Sequence, residues 1–259
     1  MTFFTQSIVS RIAQSHIHYP KRIAECVKLP YGLLYHDREN PGSHMCNHAV
    51  ITDMSGDLDL KVRQVTEFYV EKGLTPVIYT AFQRKAYRIM SQPLRNNGYS
   101  VGKYPEGAFF YYPQGQTGSL PNYSNRVKRV QTEEGILDMF SDDEEGVYNR
   151  TVIRKLLPGE GYYLWCVYEK DKPVAVASLV MMSEYRTSVI DNVYTVPEYR
   201  NKGYATAIVR HALRMHQACS DNLVFLYAYK EQPIRIYRKL GFVKVNNMRL
   251  EYWNAWMDI

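Results

Sequence analysis

Apolar residues recur along this chain in two patterns, one typical of helices and one typical of strands. Positions 205, 208, 209, 212 and 213 are apolar at i, i+3, i+4 spacing, which predicts a helix over 204–219 with one buried face. Short runs rich in Val, Tyr, Leu and Phe predict strands. In the second half these runs lie at 127–131, 162–169, 173–182, 187–196, 222–229 and 243–252.

The first half repeats the same alternation of elements. A helical pattern at 60–72 ends at Gly73, a typical C-terminal cap. Further helices are predicted at 1–28 and 83–97 in this half, and at 134–140, 149–157 and 233–240 in the second. Strands are predicted at 31–35, 48–52, 75–80 and 107–112. The chain is therefore predicted to have an α/β fold.

A stretch rich in Pro, Gly, Gln and Ser interrupts this order at 113–122. Such a composition favours loops over packed elements. We therefore predict a domain at 1–115, a linker at 116–123 and a second domain at 124–259.

Composition narrows the function classes. A hydrophobic content of 46% and a charged content of 22% are typical of a globular protein. The net charge of +6 suits a phosphate-rich ligand, but no run of basic residues indicates nucleic-acid binding. No apolar run is long enough for a membrane span, and neither a signal-peptide pattern nor paired cysteines occur. We expect a cytoplasmic protein with no nucleic-acid or membrane partner.

Candidate chemistry concentrates in the segment 193–206, Val-Tyr-Thr-Val-Pro-Glu-Tyr-Arg-Asn-Lys-Gly-Tyr-Ala-Thr. It predicts a strand, a sharp turn and the start of a helix. The first amides of a helix lack intrahelical partners and carry the positive end of the helix dipole, so they can bind phosphate. Gly203 leaves room for a ligand against the backbone, while Arg200 and Lys202 add positive charge. The segment is therefore predicted to bind a pyrophosphate.

A second motif follows about one helix and one strand later, Ile-Tyr-Arg-Lys-Leu-Gly-Phe at 236–242. The two motifs together resemble those of the GCN5-related N-acetyltransferase (GNAT) superfamily. That family carries an Arg/Gln-x-x-Gly-x-Gly/Ala turn followed by a Tyr-x-Lys-Leu-Gly-Phe helix. The resemblance implies a mixed, mostly antiparallel sheet flanked by helices, and the element order over 124–256 agrees with it.

The resemblance also implies roles for individual residues. Tyr237 would lie near the thioester sulfur and protonate the leaving thiolate or hydrogen-bond to it. Asp191 is the candidate general base; a carboxylate satisfied by a neighbouring strand is an equal alternative. Tyr194 and Val196 would offer backbone groups to pantetheine. The full predicted set of coenzyme-binding residues is Tyr194, Thr195, Val196, Arg200, Asn201, Lys202, Gly203, Tyr204, Ala205 and Thr206.

Two positions depart from the family pattern, because Lys230 and Pro233 stand where many members have Asn and a small residue. The first half resembles the second in outline, with 94–99 aligned to 237–242. In this alignment Asp57, Leu60 and Leu94 occupy the places of Arg200, Gly203 and Tyr237. We therefore predict a tandem arrangement with a degenerate GNAT-like N-terminal half, which has a structural role or forms a wall of the acceptor pocket.

The predicted activity is transfer of an acetyl group from acetyl-CoA to a primary amine of a small molecule or peptide, directly within a ternary complex. The alternative is a non-catalytic acyl-CoA-binding or assembly module. No metal is expected, because His16, His18, His44 and His48 are spaced unsuitably for their predicted elements. The acidic run 141–145 predicts either a solvated helix end or a patch that attracts the amine.

Overall fold

The computed structural model describes residues 7–83, 85–103, 107–113, 127–245, 250 and 253–257. The predicted linker at 116–123 lies outside these residues. The helices are α1 (Ile8–His18), α2 (Leu58–Val70), α3 (Ala86–Asn96), α4 (Glu144–Leu156), α5 (Tyr204–Cys219) and α6 (Glu231–Lys239). The strands of the first half are β1 (Glu25–Leu29), β2 (Gly32–His36), β3 (His48–Ile51), β4 (Val77–Tyr79), β5 (Ser100–Lys103) and β6 (Ala108–Tyr112). Those of the second are β7 (Val127–Val130), β8 (Tyr162–Glu169), β9 (Lys172–Met182), β10 (Thr187–Thr195), β11 (Leu223–Ala228), β12 (Val243–Lys244) and β13 (Trp253–Trp256).

The chain divides into two compact units. The N-unit comprises residues 13–105 and 246–259, and the C-unit comprises residues 1–12 and 106–245. The N-unit contains a six-stranded sheet of order β1-β2-β3-β4-β13-β5. Among the strands described there, β3 and β4 are parallel and the other neighbours are antiparallel. Helix α2 forms the connection that the parallel pair requires.

The C-unit repeats this arrangement in a seven-stranded sheet of order β12-β6-β11-β10-β9-β8-β7. Its described parallel pair is β10 and β11, joined by α5, and the other neighbours are antiparallel. In each sheet a strand from elsewhere in the sequence, β6 or β13, lies next to the later strand of the parallel pair. The α/β class and the tandem arrangement of two similar units are thus confirmed.

Helix α5 covers the C-unit sheet with the face that the periodicity predicts. Ile208, Val209, Ala212 and Leu213 are all fully buried. They pack in one core with strand residues such as Val174, Ala177, Leu226 and Phe110. Burial of each of the larger side chains, Ile208, Val209 and Leu213, contributes about 1.5–3 kcal/mol. This packing holds α5, and with it the N-terminus of the helix, against the sheet.

Several predicted elements differ from the observed ones. Residues 25–28 form part of strand β1 instead of continuing a helix. This strand is largely exposed, so its sequence carries neither a clear helical nor a clear strand periodicity. Antiparallel pairing with β2 determines its conformation instead. Strand β5 was not predicted, because Ser-Val-Gly-Lys carries almost no strand signal. The single strand predicted at 243–252 is replaced by β12 and β13, which belong to different sheets.

Two buried histidines should make the N-unit sensitive to acid. Burial lowers the pKa of His16 to about 4 and that of His48 to about 3, whereas an unfolded histidine titrates near 6.5. Below pH 6.5 the unfolded chain therefore binds protons that the folded chain excludes, and stability falls towards pH 4. The expected loss is about 1.4 kcal/mol per pH unit for each histidine. Urea unfolding at pH 7.5 and pH 5.0 measures it.

Two variants make this measurement specific. His16→Leu removes one titrating group, so its unfolding free energy should change less between the two pH values. His44→Gln is the matched control, because His44 is exposed and its replacement should leave the pH dependence unchanged. An identical pH dependence in wild type and His16→Leu would show that His16 does not carry the effect.

Candidate active site

Strands β10 and β11 are paired over only part of their length. Their parallel register runs from Thr187 opposite Leu223 to Val189 opposite Phe225. Strand β10 nevertheless continues to Thr195, and along this stretch the described pairing is with β9 alone. The edge of β10 near its carboxyl end is therefore open for a ligand, at the place where open α/β sheets usually bind one.

A tight turn follows β10 and is held by side-chain hydrogen bonds. Asn201 and Gly203 adopt left-handed backbone conformations, with φ of 62° and 83°. Arg200 Nε donates to the carbonyl oxygen of Thr195 at 3.1 Å. Gln232 Nε2 donates to Asn201 Oδ1 at 3.0 Å. The turn is thus fixed from the strand before it and from helix α6, so its amides are oriented before any ligand arrives.

The start of α5 has the geometry of an ordinary helix N-terminus. The hydrogen bond from Ala207 N to Gly203 O at 3.0 Å joins the helix to its N-cap, and the amides before Ala207 belong to the first turn, where intrahelical carbonyl partners are absent by geometry. No side chain caps this end, and its first turn contains no acidic residue. A Cβ placed on Gly203 would meet no atom within 4 Å. We call residues 200–206 the cradle.

The corresponding helix of the N-unit is closed to anions by its own sequence. Helix α2 also connects a parallel strand pair, but the Asp57 carboxylate accepts the Leu60 N–H at 2.9 Å. A bound carboxylate there occupies the position that a phosphate would take and repels it. Leu94, aligned with Tyr237, lies fully buried in the N-unit core. Asp57 and Leu94, which align with coenzyme-site positions of the second half, thus contribute to the folding of the N-unit.

The surroundings of the cradle fit a phosphate-bearing ligand. Lys202 Nζ lies 4.7 Å from the ring centroid of Tyr199, and Lys172 Nζ lies 5.9 Å from it. Thr195 Oγ1 is buried without a hydrogen-bond partner among the described residues, and a buried hydroxyl in that state is costly. Positive charge, an uncapped helix start and an unsatisfied hydroxyl thus occur in neighbouring parts of the chain.

The backbone of Val196 already forms hydrogen bonds within the protein, which bears on the predicted contact between Val196 and pantetheine. Val196 N–H donates to Val174 O at 3.0 Å, and Val196 O accepts from Tyr199 N at 2.9 Å. Tyr194 lies opposite Val176 in the same ladder. Because hydrogen-bonding directions alternate along a strand, the main-chain groups of Thr195 point to the other edge. The open edge therefore presents the N–H of Thr195 rather than Val196, while the Thr195 carbonyl already accepts from Arg200.

Tyr237 lies on α6 and is 7% exposed. Burial is the main cause that raises the pKa of Tyr237, and the nearby carboxylates of Asp191 and Glu145 raise it further. The phenol therefore keeps its proton at neutral pH. Asp191 and Glu145 are thus near enough to Tyr237 for their charges to affect its pKa.

Asp191 is held on β10 by two hydrogen bonds. Its Oδ2 accepts the hydroxyl of Tyr148 at 3.0 Å, and its Oδ1 accepts the backbone N–H of Asn192 at 2.8 Å. The side chain is only partly buried. These hydrogen bonds orient the carboxylate of Asp191 on β10.

A buried amide network beside Asp191 was missed by sequence reasoning. Asn192 adopts a left-handed conformation, with φ of 49°, where the β10–β9 register shifts. Its Oδ1 accepts from Tyr162 and Ser178 at 3.1 and 2.9 Å, and its Nδ2 donates to Asn149 Oδ1 at 2.9 Å. This network fixes the bulge that aims Asp191. An Asn inside an apolar strand pattern was the available signal.

The acidic run divides its side chains among different tasks. Asp143 caps α4 by accepting the Gly146 N–H at 2.8 Å. Asp142 pairs with Arg150 at 3.1 Å. Glu145 pairs with Lys230 at 2.6 Å. Asp143 thus belongs to a helix end, which is one of the two interpretations of this run from the sequence. Glu145 differs, because its charge contributes to the raised pKa of Tyr237.

Comparisons with known proteins agree with this architecture. Residues 133–242 match the model of the acetyltransferase (GNAT) family. A GCN5-related N-acetyltransferase from Kribbella flavida superposes with a TM-score of 0.69 at 14% identity, covering 98% of this chain and 97% of that one. A functionally unknown conserved protein from Staphylococcus epidermidis superposes with a TM-score of 0.66 at 13% identity, covering 91% and 95%. A search of curated proteins finds no match.

A GCN5-related N-acetyltransferase from Sphaerobacter thermophilus is also similar, with a TM-score of 0.53, 13% identity and coverage of 81% and 71%. At such identities the likeness concerns the fold. In the described part of the chain, no helix has the length and apolar character needed to cross a membrane. Nor do three or more His, Cys, Asp or Glu side chains there form a group able to hold a metal. Residues 133–242 therefore form a domain of the acetyltransferase (GNAT) family, within a fold that the chain shares with GCN5-related N-acetyltransferases.

Proposed function

We propose that the protein transfers the acetyl group of acetyl-CoA to a primary amine of a small molecule or peptide, directly within a ternary complex. The observation that carries this proposal is the start of α5, where no side chain caps the helix and a Cβ placed on Gly203 would meet no atom within 4 Å. The superfamily uses acetyl-CoA, and the residues around the opening suit its pyrophosphate. The cradle amides would bind it, and Arg200 would keep the turn in place through Thr195.

The pantetheine arm would lie along the open edge of β10. We assign its main-chain contact to Thr195, since the Val196 N–H is bonded to Val174. This placement directs the thioester towards Tyr237, whose protonated hydroxyl would donate to the leaving sulfur. Asp191 would accept the amine proton, directly or through water. Positioning both reactants supplies much of the rate in such reactions.

An amine-dependent thiol-release assay tests the proposal. Purified protein, acetyl-CoA and a panel of primary amines should release coenzyme A thiol, with one N-acetyl product formed per thiol as measured by mass spectrometry. Samples without amine give the background hydrolysis. Tight acetyl-CoA binding without amine-dependent thiol release across the panel would instead support a non-catalytic acyl-CoA-binding module.

A further inference from the structure

An ion pair stands beside the proposed reacting groups and has no role in the mechanism above. Lys230 Nζ lies 2.6 Å from Glu145 Oε2, and their side chains are 54% and 48% exposed. The two residues come from the beginnings of α6 and α4 respectively. Since the pair joins two separate elements, its position is set by the fold and not by local sequence.

The pair is connected to the reacting groups through both helices. Lys230 is the residue that precedes α6, the helix that carries Tyr237, and Tyr148 follows Glu145 by three residues on the same face of α4. Tyr148 in turn donates to Asp191. The carboxylates of Glu145 and Asp191 both act on the Tyr237 hydroxyl through space. The pair therefore borders the region in which an acceptor must bind.

The pair is suited to exchanging partners. A half-exposed ion pair of this kind contributes only about 0–1 kcal/mol, so a ligand can open it at little cost. An ammonium has three donors, and Glu145 accepts from Lys230 through a single oxygen. Lys230 thus offers positive charge to an incoming carboxylate, while Glu145 and Asp191 offer negative charge to an incoming amine.

We propose that the acceptor is an amino acid, an amine carrying a carboxylate close to the reacting nitrogen, and that Lys230 binds this carboxylate. The proposal rests on the proposed acetyl transfer and adds the substrate class. A simple amine would bring no carboxylate to replace Glu145 as the partner of Lys230, and a polyamine would bring a second cation against it. A zwitterionic acceptor matches both signs of charge at this end of the site.

Matched acceptor pairs test the role of the carboxylate. The panel comprises L-α-amino acids with their α-amides, and β-alanine and 4-aminobutyrate with theirs, assayed by thiol release. The wild-type kcat/KM should be higher for the acid of the preferred pair than for its amide. Lys230→Met keeps the side-chain stem and removes the charge. It should lower kcat/KM for the acid by roughly 10- to 100-fold, the loss typical of a charged hydrogen bond, and change the amide less than about threefold.

Two further variants complete the experiment. Lys230→Glu should lower activity on the acid more than Lys230→Met does. Lys239→Met is the control, because Lys239 is an exposed lysine on the same helix, and it should resemble wild type. Acetyl-CoA affinity by equilibrium dialysis should be unchanged in all three variants, which shows that their folding is intact.

The outcomes separate the substrate class from the activity. Transfer to amines with equal or greater preference for amides, or an equal loss on acid and amide in Lys230→Met, would overturn the amino-acid proposal while the acetyltransferase activity stands. An absence of transfer to every amine, despite intact acetyl-CoA binding, would overturn the proposed function and the substrate class with it.

Discussion

Gly203→Glu should abolish acetyl-CoA binding, with a loss of affinity of more than about 100-fold. The glycine has a φ of 83°, a conformation that costs other L-residues roughly 1–2 kcal/mol. The glutamate side chain would also place a carboxylate beside the amides of 204–206. There its negative charge would repel a pyrophosphate by several kcal/mol at short range. In the N-unit a carboxylate already stands at the equivalent place, because Asp57 caps the start of α2. Equilibrium dialysis with labelled acetyl-CoA measures the affinity.

Gly203→Ala separates charge from backbone strain. A Cβ at this position meets no atom within 4 Å, so alanine adds the strained conformation without a clash or a charge. Its affinity should fall by less than about tenfold, the equivalent of the backbone cost alone. If Gly203→Glu bound acetyl-CoA as wild type does, the start of α5 would not be the phosphate site.

Tyr237→Phe should lower kcat by about tenfold to a few hundredfold and leave acetyl-CoA affinity nearly unchanged. Phenylalanine keeps the ring that packs against Phe242 and removes only the donor. A thiol leaving group has a pKa near 8.5 and departs tolerably without help. Since burial and two carboxylates raise the pKa of Tyr237, proton transfer to the sulfur is incomplete, which favours the lower end of the range.

Rapid-quench kinetics under single-turnover conditions measure this change in the chemical step. Arg200→Ala is the contrasting variant, because losing the bond to Thr195 O loosens the cradle and should weaken binding more than chemistry. A wild-type single-turnover rate for Tyr237→Phe would assign the tyrosine to packing alone, with water protonating the sulfur.

Local patterns predicted the elements that carry the site. Helix α5 begins and ends where its periodicity predicts, because a continuous apolar stripe and the turn at Gly203 act within a few residues. The cradle was likewise predicted because it depends on consecutive backbone groups. Asp57 was predicted to oppose phosphate binding, whereas its role as the cap of α2 became visible only in the structure.

Features built from distant residues were not predicted. The placement of β6 and β13 next to β11 and β4 depends on pairings across more than a hundred residues, which no local pattern encodes. The partners of Asn192 lie on three other elements, β8, β9 and α4. They could therefore not be inferred from the sequence of β10 alone. The Glu145–Lys230 pair joins residues 85 positions apart and has the same origin.

We propose a single acyl-CoA site, located at the cradle of the C-unit. Calorimetric titration of the wild-type protein with acetyl-CoA counts the sites through the stoichiometry, without any assumption about the acceptor. We expect one acetyl-CoA bound per chain, with the binding heat lost in Gly203→Glu. Two sites per chain, or one site whose heat persists in Gly203→Glu, would contradict it.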